Sequence, residues 1–181
     1  MQPRAGWARA FWSTLLFDGR ARAEPGVEFS GGIALGVLAV GITSPRFAIS
    51  PSASLSSRGE SGFLVVRDTV SFLGATGGPF GMSNETTVGA GIYGKSVNVS
   101  AGLSLAALSL PTCGPRLCGT MHGLVPGASV RLDAFGLYLS GALGIFLDCA
   151  GNWITGGANA VWSGVSVRCS LGPIVRFPLR R

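Results

Sequence analysis

The chain has 181 residues, a length that fits a single domain. Only 12% of the residues are charged, and the mean hydropathy is +0.46. Because a soluble fold of this size needs more charge on its surface, this composition indicates a membrane protein. The formal net charge of +6 does not indicate nucleic-acid binding, since the basic residues beyond residue 23 are scattered singly and form no stripe.

The first 23 residues have the features of a secretory signal peptide. Arg4 and Arg9 form a basic start, residues 11–17 form a short apolar stretch, and Ala21-Arg22-Ala23 fits a small-x-small cleavage site. We expect residues 1–23 to be a signal peptide and residues 24–181 to form the mature domain.

Beyond the signal peptide, the chain is a series of segments in which apolar residues alternate with small or hydroxylic ones. The clearest segment is residues 97–110, in which Val97, Val99, Leu103 and Leu105 alternate with asparagine, serine and glycine. A period of two places successive side chains on opposite faces of a strand. Asp68 is an exception because it falls on an apolar face, which leaves the register of its strand open. Eight strands are predicted in chain order, at residues 27–43, 46–57, 62–74, 86–95, 97–110, 128–134, 137–147 and 161–177.

The predicted connections differ in length between the two ends of the sheet. The connections at 58–61, 94–96 and 135–136 are tight, whereas those at 75–85, 111–121 and 149–159 are long. Connections of equal parity lie at the same end of an up-and-down sheet, and transmembrane barrels have short turns at one end and longer loops at the other. We therefore predict an all-β fold, an eight-stranded antiparallel up-and-down transmembrane β-barrel over residues 24–181.

The two faces of the strands predict what meets lipid and what lines the lumen. Large apolar residues are expected to face lipid, namely Leu103, Leu105, Leu139, Leu143 and Ile145, and serines to line the interior, namely Ser52, Ser54, Ser100, Ser104 and Ser140. Charged residues inside a barrel normally pair with one another. A polar network in the lumen, with a ligand site as the alternative, is predicted for Arg67, Lys95, Arg131, Asp133 and Arg168.

Two other folds stay open at this point. Residues 29–45 contain no charge and are the best candidate for a helical anchor, although a spanning helix needs about 20 apolar residues. A soluble lipocalin-like ligand carrier would hold its apolar face inside the barrel and a charged face outside.

The alternating segments resemble the small outer-membrane β-barrels of Gram-negative bacteria, the OmpA/OmpX-like group. The resemblance covers residues 27–177 and rests on eight strands, tight turns at one end and the late aromatic Phe177. It implies a location in the bacterial outer membrane, the lipid bilayer as partner, a monomer, and a structural, surface-loop or adhesion role without a sizeable pore. An external ligand is expected to contact the loops at 75–85, 111–121 and 149–159.

The sequence offers little for catalysis. His122 is the only histidine, and no serine or acid stands at a diagnostic spacing from it. We expect no enzymatic activity, no metal and no cofactor. A lipid-modifying barrel enzyme is the alternative, in which His122 would approach a serine and an acid at the outer rim.

The four cysteines indicate disulfides, because their number is even in an exported chain. Cys113 and Cys118 flank a four-residue turn that contains glycine and proline, so their Cβ atoms can approach each other. Cys149 closes the seventh predicted strand, and Cys169 lies about one strand length before Phe177, which would place both at the external rim. We predict the pairs Cys113–Cys118 and Cys149–Cys169, each tying down an external loop. Four free thiols are the alternative.

Overall fold

The strands of the chain close into a single barrel. The computed structural model describes residues 26–40, 45–75, 78–94, 96–113, 118–138, 142–154 and 164–179. All neighbouring strands are antiparallel and pair in sequence order, and the first also pairs with the last, so the predicted eight-stranded antiparallel barrel is confirmed. The strands are β1 (Gly26–Val40), β2 (Arg46–Arg58), β3 (Phe63–Ala75), β4 (Gly78–Tyr93), β5 (Val97–Cys113), β6 (Cys118–Tyr138), β7 (Leu143–Ile154) and β8 (Gly164–Leu179). The predicted signal peptide, residues 1–23, lies outside the described residues.

Side chains along each strand alternate between an apolar outward face and a polar inward face. On β5, Leu103 is 77% exposed, whereas the neighbouring Ser104 is 6% exposed. Leu105 and Ile145 are also exposed and Ser52 and Ser100 are buried, as predicted. This arrangement is the inverse of a soluble barrel, so the lipocalin-like alternative is wrong. Leu143 and Ser54 are half-buried, and Leu139 and Ser140 lie outside the described residues.

The seam between β1 and β8 depends on a close approach of the two strands. A Cβ atom on Gly32 would lie only 2.5 Å from the carbonyl oxygen of Pro173. Glycine therefore lets the first and last strands pair tightly enough to close the barrel. The helical alternative for residues 29–45 is wrong, because residues 29–40 of this stretch belong to β1. Within the described ranges, no helix is long and apolar enough to cross a membrane.

The two ends of the barrel are named here by their connections. The turn end carries the connections 59–62, 94–96 and 139–142, together with the start of β1 and the end of β8. The hairpin end carries the connections 41–45, 76–77, 114–117 and 155–163.

The predicted long loops at the hairpin end are largely strand, which corrects the sequence interpretation. Residues 78–85 belong to β4, residues 111–113 and 118–121 continue the β5–β6 ladder, and residues 149–154 belong to β7. In β4 the buried inward positions hold glycine, serine and glutamate, which hid the strand in the sequence because the interior of this barrel is polar. Because these residues lie in strands, their backbone N–H and C=O groups form hydrogen bonds with the neighbouring strand, whereas a loop would expose these groups to water. The β5–β6 hairpin consequently extends beyond its neighbours, since β4 pairs with β5 only as far as Ser109.

The turn between β6 and β7 also differs from the prediction. The tight turn was expected at residues 135–136, but β6 continues to Tyr138 and β7 begins at Leu143. The ladder shifts register between Phe135 and Tyr138. This irregularity adds two residues to β6 relative to a regular ladder.

Candidate functional site

A cluster of buried charges crosses the middle of the lumen. We call it the lumen network and define it as Arg67, Glu85, Arg131, Asp133, Asp148 and Arg168. Three guanidinium groups face three carboxylates, so the network is formally neutral.

Arg168 is the hub of the lumen network. Its Nη2 donates to Oδ2 of Asp148 at 2.8 Å and to Oε2 of Glu85 at 3.4 Å. Glu85 stands on β4 and Arg168 on β8, which are opposite each other in an eight-stranded barrel. The contact therefore spans the full width of the lumen.

Arg67 makes a second connection across the barrel. Its Nη1 lies 3.5 Å from Oδ1 of Asp148, and its Nη2 donates to Oγ of Ser129 at 3.1 Å. Thr87 and Ser129 also share a hydrogen bond of 3.1 Å between their hydroxyl groups. Because Arg67, Asp148, Glu85 and Arg168 are each at most 3% exposed, solvent hardly reaches this layer.

Arg131 completes the network nearer to the turn end. Its Nε donates to Oδ1 of Asp133 at 2.6 Å, and its Nη1 donates to Oγ of Ser52 at 3.3 Å. The guanidinium carbon lies 4.0 Å from the ring centroid of Phe146, a cation–π geometry. Ion pairing, hydrogen bonding and ring contact together compensate for the removal of this charge from water.

Two apolar clusters lie on either side of the buried charges. Toward the hairpin end, a cluster of side chains from five strands fills the lumen. Toward the turn end, a second cluster joins β1, β6, β7 and β8. The first consists of Leu38, Ala48, Leu73, Ala106, Leu108 and Val125, and the second of Ala34, Phe135, Phe146 and Ile174.

The predicted network residues are distributed as follows. Arg67, Arg131 and Arg168 are buried in the lumen and Asp133 is half-buried, while the side chain of Lys95 lies outside the described residues. Sequence reasoning missed both Glu85 and Asp148. The sequence places Glu85 in a predicted loop, although Glu85 shares its inward parity with Ser83 and Thr87.

A second charged cluster lies at the turn end. Oε2 of Glu28 lies 2.9 Å from Nη2 of Arg58 and 3.7 Å from Nε of Arg176. The guanidinium carbon of Arg176 lies 4.0 Å from the ring centroid of Phe135. A small pocket of about 20 Å³ opens between this cluster and the lumen network. Its wall includes the side chain of Asn98, which is 7% exposed. The pocket is polar, and its volume suits about one water molecule.

A disulfide joins Cys149 on β7 to Cys169 on β8. The two residues are direct cross-strand partners, with Cα atoms 4.2 Å apart. The predicted position at the external rim is wrong, because the pair lies about halfway along the ladder that runs from Leu143 to Ile154. Parity places the bridge on the outward face, where it joins two strands rather than holding a loop.

The other predicted bridge falls on side chains outside the described residues. The backbones of Cys113 and Cys118 are partners at the end of the β5–β6 ladder. The pairing of these two thiols stays a prediction.

His122 lies on the outward face of β6 and is exposed. Its backbone partner across the ladder is Ser109 on β5. Catalysis by a serine and a histidine also needs an acid that orients the histidine. The one exposed carboxylate in a described strand is that of Asp68, which lies on β3 and not beside His122 on β6. The described residues contain no cluster of three or more histidine, cysteine or acidic side chains that would hold a metal ion.

Comparison with known proteins identifies the fold. No protein-family model matches the sequence, and no curated protein matches it significantly. Among solved structures, Neisserial surface protein A has 16% identity and a TM-score of 0.51, over 84% of this chain and 97% of that chain. The N-terminal β-barrel domain of Pseudomonas aeruginosa OprF has 11% identity and a TM-score of 0.52, over 84% and 98% of the respective chains.

The third similar structure is Ail, the attachment invasion locus protein of Yersinia pestis. It has 10% identity and a TM-score of 0.58, over 86% of this chain and all of that chain. The structures compared are single barrels of about the same extent as this one. The chain therefore has the fold of the small eight-stranded outer-membrane β-barrels, as the resemblance to the OmpA/OmpX-like group implied.

Proposed function

We propose that this protein is a bacterial outer-membrane barrel that has a structural and surface-presenting role, with its hairpin end outside the cell. The observation that carries the proposal is the facing of the side chains, with an apolar exterior around a polar interior. A barrel of this kind satisfies all backbone groups internally and needs a hydrocarbon solvent around it. In water the same surface would drive aggregation.

The interior supports a structural role rather than transport. The lumen network and the apolar cluster at the hairpin end together fill the cross-section of the barrel. Because Asp148 is 0% exposed and Arg168 is 2% exposed, a continuous aqueous path would have to displace their ion pairs. We therefore expect no ion-conducting pore. A planar lipid bilayer containing the protein should show no stepwise conductance above that of the lipid alone.

The extended β5–β6 hairpin is the feature that a surface role would use. It projects beyond β4, and the disulfide predicted between Cys113 and Cys118 would stabilise its tip. The names of two structural neighbours refer to a surface protein and to attachment and invasion. These names support an adhesive or surface role here as part of the proposal.

The location is tested by expressing the full chain in a Gram-negative bacterium with an epitope inserted after Arg116. We expect the protein in the outer-membrane fraction, and antibody labelling of intact cells. Labelling that requires permeabilised cells would show that the hairpin end faces inward, and recovery in the soluble fraction would contradict the membrane location.

The adhesive role is tested with a variant in which residues 110–121 are replaced by a two-residue turn. Cells that display the full chain should attach to cultured epithelial cells more strongly than cells that display the shortened barrel at equal surface density. Equal attachment by both would contradict a role for this hairpin in adhesion.

The proposal includes no catalytic step. His122 has a serine opposite it, but the described strands place no acid on the same face beside the two. A lipid-modifying activity would require that arrangement. Incubation of the reconstituted protein with radiolabelled phospholipid should therefore leave the lipid unchanged, and His122→Ala should behave as the unmodified protein does.

A further inference from the structure

Asp68 interrupts the apolar outer surface of the barrel. It lies on β3 between Val66 and Val70, with Leu64 and Phe72 one step farther out on the same face. It is the only exposed charged side chain among the described strand residues. Two apolar positions lie on each side of it along the strand, so Asp68 is close to mid-height of the apolar band.

The register around Asp68 is regular, so its outward position is not the result of a bulge. Its backbone partners are Ala53 on β2 and Thr86 on β4. The Thr86 hydroxyl donates to Oδ1 of Asp68 at 3.0 Å. Asn84 follows on the outward face of β4, one step toward the hairpin end, and is exposed.

Asp68, Asn84 and Thr86 form one contiguous polar area on the otherwise apolar outer surface of the barrel, with an alanine on either side. We call it the Asp68 patch and define it as Ala53, Asp68, Asn84, Thr86 and Ala107. Ala107 belongs to it because it is the backbone partner of Asn84 on β5. Small side chains thus lie on both sides of the polar ones.

A carboxyl group that faces hydrocarbon is unfavourable, and ionisable side chains at membrane depth commonly mark functional positions. Within the described residues, Oδ1 of Asp68 accepts the one side-chain hydrogen bond of this carboxyl group, and the Asn84 amide makes none. Packing the patch against a partner with donors and acceptors would remove both groups from lipid. The patch therefore has the chemistry of a protein contact rather than of a lipid contact.

We propose that the Asp68 patch is an intramembrane interface through which two copies of this chain associate. The inference rests on the proposed membrane location. It departs from the monomer that the sequence predicts and with which the similar single-chain barrels are consistent.

The chemistry of the patch fits a second copy. Asp68 supplies acceptor oxygens and Asn84 supplies amide donors, so a two-fold arrangement can pair Asn84 of each copy with Asp68 of the other. Contacts related by a two-fold axis require a self-complementary surface of this kind. Ala53 and Ala107 leave room for the two sheets to approach, as small residues do in other membrane interfaces.

The test is energy transfer between copies of the full chain in phosphatidylcholine vesicles. Two pools carry a donor or an acceptor dye on an azido amino acid at position 60, in the exposed turn between β2 and β3. The efficiency of energy transfer should exceed the value expected for randomly distributed barrels, and it should rise with the protein-to-lipid ratio. The variants Asp68→Leu and Asn84→Leu should each weaken association by about tenfold, because each removes both symmetry-related hydrogen-bonded contacts of the pair.

Leu147→Ala is the matched control, because it changes the outward face of β7 on the opposite side of the barrel. It should associate as the unmodified protein does. Each sample is also run unheated and boiled on a detergent gel, which reports folding independently of association.

Folded, heat-modifiable protein that shows only random-proximity transfer would overturn the second-copy interface while leaving the membrane barrel intact. Unchanged association in Asp68→Leu would also overturn it. Failure to insert into vesicles would contradict the membrane location and the interface with it. Cross-linking in cells to a different membrane protein, with no self-association in vesicles, would replace the second copy by that partner.

Discussion

Arg168 on β8 and Glu85 on β4 face each other across the whole lumen, with Nη2 of one 3.4 Å from Oε2 of the other. Both side chains are at most 3% exposed. Neither charge could stay in this interior alone, because an unpaired buried charge costs several kcal/mol. The pair, together with Asp148, ties opposite walls of the barrel to each other.

Removal of the Glu85 charge should therefore destabilise the barrel. We expect Glu85→Gln to lower the free energy of unfolding by about 1–3 kcal/mol, because Arg168 loses one charged partner and keeps its ion pair with Asp148. Urea titration of the protein in vesicles measures this. Glu60→Gln, in the exposed turn 59–62, is the control and should change the free energy by less than about 0.5 kcal/mol. Equal stability of the two variants would show that the Glu85 ion pair does not stabilise the barrel.

A charged residue on the outward face of β5 should lower the free energy of unfolding of the barrel. Leu103 is 77% exposed on this face, and Leu103→Arg should cost about 2–4 kcal/mol if the residue meets the middle of the bilayer. Glu60→Arg is the control: it places an arginine in the exposed turn 59–62, outside the apolar surface, and should be tolerated. A Leu103→Arg variant that folds into vesicles as well as the unmodified protein would show that this face does not contact lipid.

Close pairing of β4 with β5 depends on two inward-facing glycines, Gly89 and Gly102, which are direct partners. A Cβ on Gly102 would lie 2.5 Å from the Val88 carbonyl oxygen, closer than side chains can pack. We expect Gly102→Val to reduce the yield of heat-modifiable barrel and to lower its urea midpoint. Gly151→Val is the matched control, because no atom lies within 4 Å of a Cβ at that position. Similar losses from both would show that general strand propensity, not close approach, is responsible.

The disulfide between β7 and β8 should stabilise the barrel by restricting the unfolded chain. It links residues separated by 20 positions, and a loop of this size corresponds to about 3 kcal/mol. Urea titrations of Cys149→Ala/Cys169→Ala and of the oxidised unmodified protein should differ by about that amount. Peptide mapping without reduction should recover the Cys149–Cys169 peptide, and a Cys113–Cys149 link would contradict the strand pairing.

Much of the fold could be predicted because the period-two alternation survives wherever one face is apolar. Residues 97–110 and 46–57 show it clearly, and both are strands in the structure. Prediction failed in residues 78–85 of β4, where only Phe80 and Met82 mark the apolar outward face. Glycine and proline there looked like a loop, although Ser83 and Glu85 point into the polar lumen.

The candidate site was only partly predictable for a physical reason. Inward parity identified the arginines, but two of their contacts reach strands that are distant in sequence. Arg67 meets Asp148 and Arg168 meets Glu85 across the lumen, and predicting these contacts requires knowledge of which strands oppose each other after closure. Asp68 was noticed as an exception, and the structure shows that it lies on the outer surface in a regular strand.

The most direct test of the account is which methyl groups contact lipid acyl chains. Nuclear Overhauser effects between lipid and selectively labelled leucine methyl groups can be measured in nanodiscs without any substitution. We expect strong acyl-chain contacts for the outward Leu103, Leu105 and Leu147, and none for the inward Leu38, Leu73 and Leu108. Acyl-chain contacts at the inward leucines, or water contacts alone at the outward ones, would contradict a membrane barrel with a filled lumen.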